Sequence, residues 1–95
     1  MDEKAVFDKL RAMKPQFESM KLKRVRVFGS FARGDARPDS DIDLLVEFFG
    51  QPTLFDVADI QEKLEKHIGR KVDLVTIDSV YDALKERVLK EARDV

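Results

Sequence analysis

The sequence predicts a small α/β fold of three strands and about four helices, and three observations carry that prediction. Apolar residues recur at helical spacing near both ends: Val6, Leu10, Met13, Phe17 and Met20 at one, Tyr81, Leu84, Val88 and Ala92 at the other. Short apolar runs around Val25-Arg26-Val27, Leu44-Leu45-Val46 and Val72–Ile77 are too brief for helices and read as strands. A helix-spaced segment, Val57, Ile60, Leu64 and Ile68, separates the last two strands and makes a β-helix-β unit. A right-handed crossover then sets those two strands parallel. The 95 residues supply one core, so a single domain over residues 1–95 is expected.

In chain order, residues 2–20 read as the first amphipathic helix, with Pro15 expected to kink or split it. The first strand is 23–28. A short helix over 30–34 and a loop over 35–40 follow, with Pro38-Asp39-Ser40 as turn chemistry. The second strand, 41–48, is apolar on both faces at Leu44-Leu45-Val46 and belongs in the centre of a covered sheet. Gly50-Gln51-Pro52 ends it, and Thr53 with Asp56 forms a variant capping box for the next helix, which stops at Gly69. The third strand spans 71–77. Ser79 with Asp82 reads as a second capping box, opening a last helix over about 80–92 that buries Tyr81, Leu84, Val88 and Ala92.

Composition narrows the function. There is no cysteine, hence no disulfide and no thiolate metal site. No stretch approaches the ~20 apolar residues of a membrane span, and the acidic start Met-Asp-Glu-Lys is unlike a signal peptide. A cytoplasmic protein without membrane contact is expected. The net charge of −1 gives no global attraction to nucleic acid. Locally, residues 21–37 hold six basic groups against Asp35 alone, while residues 38–48 hold four acidic groups and no basic one. Lys21, Lys23 and Arg24 fit a solvated face. His67, the sole histidine, has no second ligand nearby and reads as a surface residue at a helix end.

The chemistry concentrates in Gly29-Ser30, ten intervening residues, and Asp41-x-Asp43. Two carboxylates two apart on a strand point to one face, roughly 7 Å apart. With no basic residue between them they repel unless a cation is present, and oxygen donors suit Mg²⁺ or Mn²⁺. Upstream, Gly29-Ser30 sits at a strand-to-helix junction, where backbone N–H groups favour anions. Asp73 interrupts the third apolar run, where a strand parallel to the second would bring it to Asp41 and Asp43. A phosphate cradle beside a carboxylate set reads as nucleotide chemistry. Gly29-x₄-Gly34 is not a P-loop, because Asp35-Ala36 follows where Lys and Ser/Thr are required.

On these residues the chain resembles the DNA-polymerase-β-like nucleotidyltransferase superfamily. With Phe28 before the motif and Arg33-Gly34 inside it, the resemblance is to its minimal nucleotidyltransferase (MNT) group, often antitoxins paired with HEPN-domain ribonuclease toxins. It implies a mixed sheet of three to four strands packed with about four helices. It further implies that Asp41, Asp43 and Asp73 are the catalytic, metal-holding carboxylates for Mg²⁺ or Mn²⁺. Gly29, Ser30 and Arg33 would meet the phosphates of ATP, and AMP would pass to a hydroxyl, tyrosine by the resemblance, on a HEPN ribonuclease. Two other functions stand beside this one: a non-catalytic antitoxin that works by binding, and nucleotidylation of a small molecule. The chain is not the ribonuclease itself, since no arginine stands four to six residues before His67.

Overall fold

The computed structural model describes residues 2–95. Asp2 caps the first helix, its carboxylate accepting from the Ala5 N–H at 2.9 Å, and α1 runs over Glu3–Phe17. Pro15 does not split it into two helices: α1 runs through it without a break. It lies on the exposed side of the last turn, where one lost hydrogen bond costs little, while Met13 and Phe17 hold that turn to the core.

Strand β1, Leu22–Phe28, leads through Gly29 into the single turn α2, Ser30–Arg33. Strand β2, Ile42–Phe48, pairs antiparallel with β1, setting Val27 opposite Leu44 and Phe28 opposite Asp43. Helix α3, Leu54–Ile68, opens on the Thr53–Asp56 capping box and closes at Gly69 in the left-handed conformation, both as the sequence indicated. It buries Ile60, Leu64 and Ile68, with Val57 only half-covered. Strand β3, Val72–Val75, then pairs parallel with β2, setting Asp43 beside Asp73. The expected strand over 71–77 is shorter, because Ile77–Ser79 wind into a 3₁₀ turn.

The last third differs most. The Ser79 hydroxyl donates to the Thr76 carbonyl at 2.7 Å inside that 3₁₀ turn, so it caps no α-helix. Helix α4 spans Asp82–Glu91, with Tyr81 as an N-cap that makes no side-chain hydrogen bond. None of its residues is buried: Tyr81 is 81% and Leu84 45% exposed, and Val88 and Ala92 are half-covered. The helical spacing was right but the apolar face does not meet the core. A fourth strand, β4 (Arg93–Asp94), follows and pairs antiparallel with β1, giving a mixed sheet of order β3-β2-β1-β4.

One face of this sheet carries the core, where Ile42, Leu44 and Val46 of β2 join Val6, Leu10 and Phe17 of α1 and Leu64 of α3. Asp43 and Leu45 point the other way, and Leu45 is buried as well, which places β2 centrally as its pattern required. Lys21 pairs with Asp56 and Arg24 with Asp94 and Glu47, the solvated role expected of them. His67 is exposed. Among the described residues no helix is long and apolar enough to cross a membrane.

The contrast between core and α4 is measurable. Leu44→Ala should cost about 2–5 kcal/mol in urea unfolding, whereas Leu84→Ala should cost less than about 1 kcal/mol.

Candidate active site

The turn from β1 to α2 and the first residues of β2 and β3 come together at one end of the sheet. Gly29 is buried with φ +73° and ψ −150°, a combination reached essentially by glycine alone. A methyl group there would run into the Asp43 carboxylate, so the backbone at Gly29 lies directly against that side chain. Gly29, not Ser30, is the N-cap of α2; Ser30 is its first residue and is half-buried. The neighbouring Phe31 is buried and anchors the turn in the core.

Asp43 is half-buried, while Asp41 and Asp73 are exposed. Burial raises the Asp43 pKa above the ordinary aspartate value, and the charges of Asp73 and then Asp41 raise it further; Arg33 opposes them. Asp43 thus lies within electrostatic reach of the other two aspartates of the motif. They do not close on a common point: among the described residues no three His, Cys, Asp or Glu side chains converge tightly enough to hold an ion. The all-oxygen donor set and the mutual repulsion at Asp43 nevertheless fit a hard divalent cation.

Arg33 is engaged within the chain. Its Nη1 donates to Glu91 Oε1 at 2.8 Å and its Nε to Asp35 Oδ2 at 3.2 Å. Glu91 Oε2 in turn accepts from the Gly29 N–H at 3.2 Å. The Glu91 carboxyl is accordingly held below its usual pKa, chiefly by Arg33, with the Gly29 N–H adding to the effect against the cost of burial. Phe28, Gly29, Ser30, Arg33 and Asp43 on one side, and Leu84, Arg87, Val88 and Glu91 of α4 on the other, line a cleft of about 300 Å³.

Sequence reasoning missed three supports of this site. Glu91 is distant from the motif in sequence, and its helix reads as an ordinary amphipathic one. Arg70 donates through Nη2 to the Pro38 and Ser40 carbonyls, both at 2.6 Å, with its guanidinium 5.4 Å from the Phe31 ring centre. It thereby holds the loop that delivers Asp41. Gln61 and Glu65 of α3 take the carbonyl and N–H of Val72 at 2.8 and 3.0 Å, fixing the start of β3 one residue before Asp73. No local pattern marks any of these, since each acts on a different element from its own.

The glycine turn thus packs on Asp43 near the start of β2, with Asp41 just before the strand and Asp73 in register beside it. The nucleotidyltransferase domain model matches residues 9–95, and the chain belongs to that family; it is a nucleotidyltransferase. Protein adenylyltransferase MntA of Thermococcus cleftensis is 39% identical over 74 residues, spanning 78% of this chain and 75% of that protein. A solved structure provisionally described as a minimal nucleotidyltransferase superposes with a TM-score of 0.86 at 41% identity, covering 100% of this chain and 97% of its own. A toxin–antitoxin crystal structure with AMP-PNP superposes with a TM-score of 0.67 at 26% identity, covering 99% of this chain and 72% of that one.

Two predictions follow from the contact between Gly29 and Asp43. Gly29→Ala should lose about 1–3 kcal/mol of stability from backbone strain, read in urea unfolding, with Asp43 displaced. Asp43 holds its proton to higher pH in the folded chain than in the unfolded one. The folded state therefore loses stability as pH rises from the ordinary aspartate value through the raised one, and the cost is fully present above it. In chelator at pH 7, Asp43→Asn should melt above wild type, and the gap should close below about pH 4.

Proposed function

We propose that this protein is a Mg²⁺-dependent protein adenylyltransferase that moves AMP from ATP to a hydroxyl, that of a tyrosine, on a HEPN-domain ribonuclease and so silences it as an antitoxin. The observation that carries the reading is the exposure of Asp41 and Asp73 beside the half-buried Asp43. A carboxylate set open to solvent can meet an acceptor that arrives on another macromolecule. The naming of the Thermococcus relative and the AMP-PNP in the toxin–antitoxin structure support the same class of reaction.

In this reading the acceptor oxygen attacks the α-phosphorus in line, the bond from that phosphorus to its bridging oxygen breaks, and pyrophosphate leaves. Asp73, exposed on the strand beside Asp43, takes the hydroxyl proton. Asp41, Asp43 and Asp73 would hold the divalent ions, which offset the charge of the carboxylates and phosphates when bound. The Ser30 hydroxyl and the Arg33 guanidinium face the cleft and meet the phosphates. Gly29 keeps the backbone low enough for its neighbour Asp43 to stand at the mouth of the cleft.

A second reading, an antitoxin that acts by binding alone, draws on the apolar exposure of Tyr81, Leu84 and Leu89 along α4. One experiment separates the two. With ATP and Mg²⁺ the protein alone should turn over little, because no acceptor is positioned. With its ribonuclease partner it should release pyrophosphate and leave the partner heavier by one or more AMP units in intact-mass measurement. Asp41→Asn combined with Asp43→Asn should abolish the mass shift. A partner that stays inactive after separation marks an enzyme; one that regains ribonuclease activity, unmodified, marks a binder and overturns the proposal.

A further inference from the structure

Glu91 makes a contact that the transfer reaction does not explain. Its two carboxylate oxygens are spent on different donors, the Gly29 N–H at 3.2 Å and the Arg33 guanidinium at 2.8 Å. Both donors face the cleft in which the nucleotide-transfer reading places the phosphates. A phosphate offers the same chemistry as this carboxylate, anionic oxygens that accept from N–H groups, so the two compete for one pair of donors.

The surroundings make joint occupancy unfavourable. Asp43 lines the same cleft, and the Glu91 charge already adds to the repulsion at its carboxyl. A triphosphate entering beside a retained Glu91 would bring more negative charge to a point whose nearest guanidinium is already paired. The helix carrying Glu91 can yield, because α4 buries no residue and moving it opens no core. Arg87, at 3.8 Å from Glu91 Oε1, is at hand to receive the displaced carboxylate.

We propose that Glu91 is a competing internal anion of this site: it holds Gly29 and Arg33 until the distal phosphates of a nucleoside triphosphate replace it, and so sets how tightly a triphosphate binds. Resting on the nucleotide-transfer reading, this makes Glu91 a competitor of the distal phosphates alone: a triphosphate must displace the carboxylate from both donors, whereas a monophosphate does not reach them. Glu91 lowers affinity for all ligands that need those donors and leaves the others unaffected.

The test is binding of AMP-PNP and of AMP, each with Mg²⁺, to wild type, Glu91→Gln and Glu86→Gln by calorimetric titration, with thermal melting of each protein. Glu86 is an exposed carboxylate on the same helix, paired with Lys90 at 3.1 Å, and controls for loss of one negative charge. Glu91→Gln should bind AMP-PNP about three- to tenfold more tightly, consistent with one partly exposed charged pair, and AMP within about twofold of wild type. Glu86→Gln should leave both constants within about twofold. An unchanged or weaker AMP-PNP constant in Glu91→Gln, or an equal gain for AMP, overturns the proposal while the transfer reading stands. Wild type that binds neither nucleotide with Mg²⁺ overturns the transfer reading and this inference together. Should Glu91→Gln melt too low to titrate, the carboxyl carbon resonance of Glu91 in wild type decides: it should shift with AMP-PNP and not with AMP, and no shift with AMP-PNP refutes the exchange.

Discussion

The site depends on one constraint, the register in which β2 lies between β1 and β3. Phe28 is paired with Asp43 on one side and Asp73 with Asp43 on the other, so a single strand residue sees both the glycine turn and the third carboxylate. A slip of one residue would turn Asp43 into the core and leave Leu44 facing the cleft. What forbids the slip is apolar burial, since Ile42, Leu44 and Val46 are all nearly inaccessible in the cluster with α1 and α3. The polar chemistry of one face is thus positioned by the packing of the other. Gly29 completes the arrangement, because only a residue without a side chain leaves room for the Asp43 carboxylate at the end of β1.

That placement works against stability. Asp43 is half-buried, and its neighbours Asp73 and Asp41 share its sign, while the opposing charge of Arg33 is divided among Asp35 and Glu91. A chain this small has little surplus stability to absorb such a cluster. The structure offsets it with ties from outside the cleft: Arg70 on the loop before Asp41, and Gln61 and Glu65 on the start of β3. None of these side chains lines the cleft, yet each fixes a segment that carries one of the motif's aspartates.

The parts of the fold that were legible in the sequence are those in which local pattern and tertiary burial agree. The two residues Leu44-Leu45 marked β2 as central because both of its faces are covered, and the capping box at Thr53 and the stop at Gly69 are chemical requirements of helix ends that no distant contact overrides. The Gly-Ser and Asp-x-Asp spacing was legible for the same reason: it encodes a turn and a strand face. Failures fell where tertiary contact decides. Pro15 is tolerated because packing of Met13 and Phe17 outweighs its lost bond. Strand β4 is two residues long, too short for any period, and is held instead by Arg24 on Asp94 and by the Lys14 ammonium on the Val95 carbonyl. The α4 residues have helical spacing, but spacing states only that one face is apolar, not that the face is covered.

The looseness of α4 is the counterpart of the rigidity of β2. On the proposed function, a site that admits a charged nucleotide and presents it to a second macromolecule cannot be walled by core on every side, because each entry would then open a cavity at a cost of several kcal/mol. Here one wall is the glycine turn and the sheet strand beside it, fixed by burial, and the other is a helix whose hydrogen bonds to that turn, among the described residues, come from the Glu91 carboxylate. Polar contacts of this kind exchange for others of similar strength, whereas apolar packing does not. The same helix leaves Leu84 exposed at the cleft, and Tyr81 and Leu89 exposed elsewhere along it.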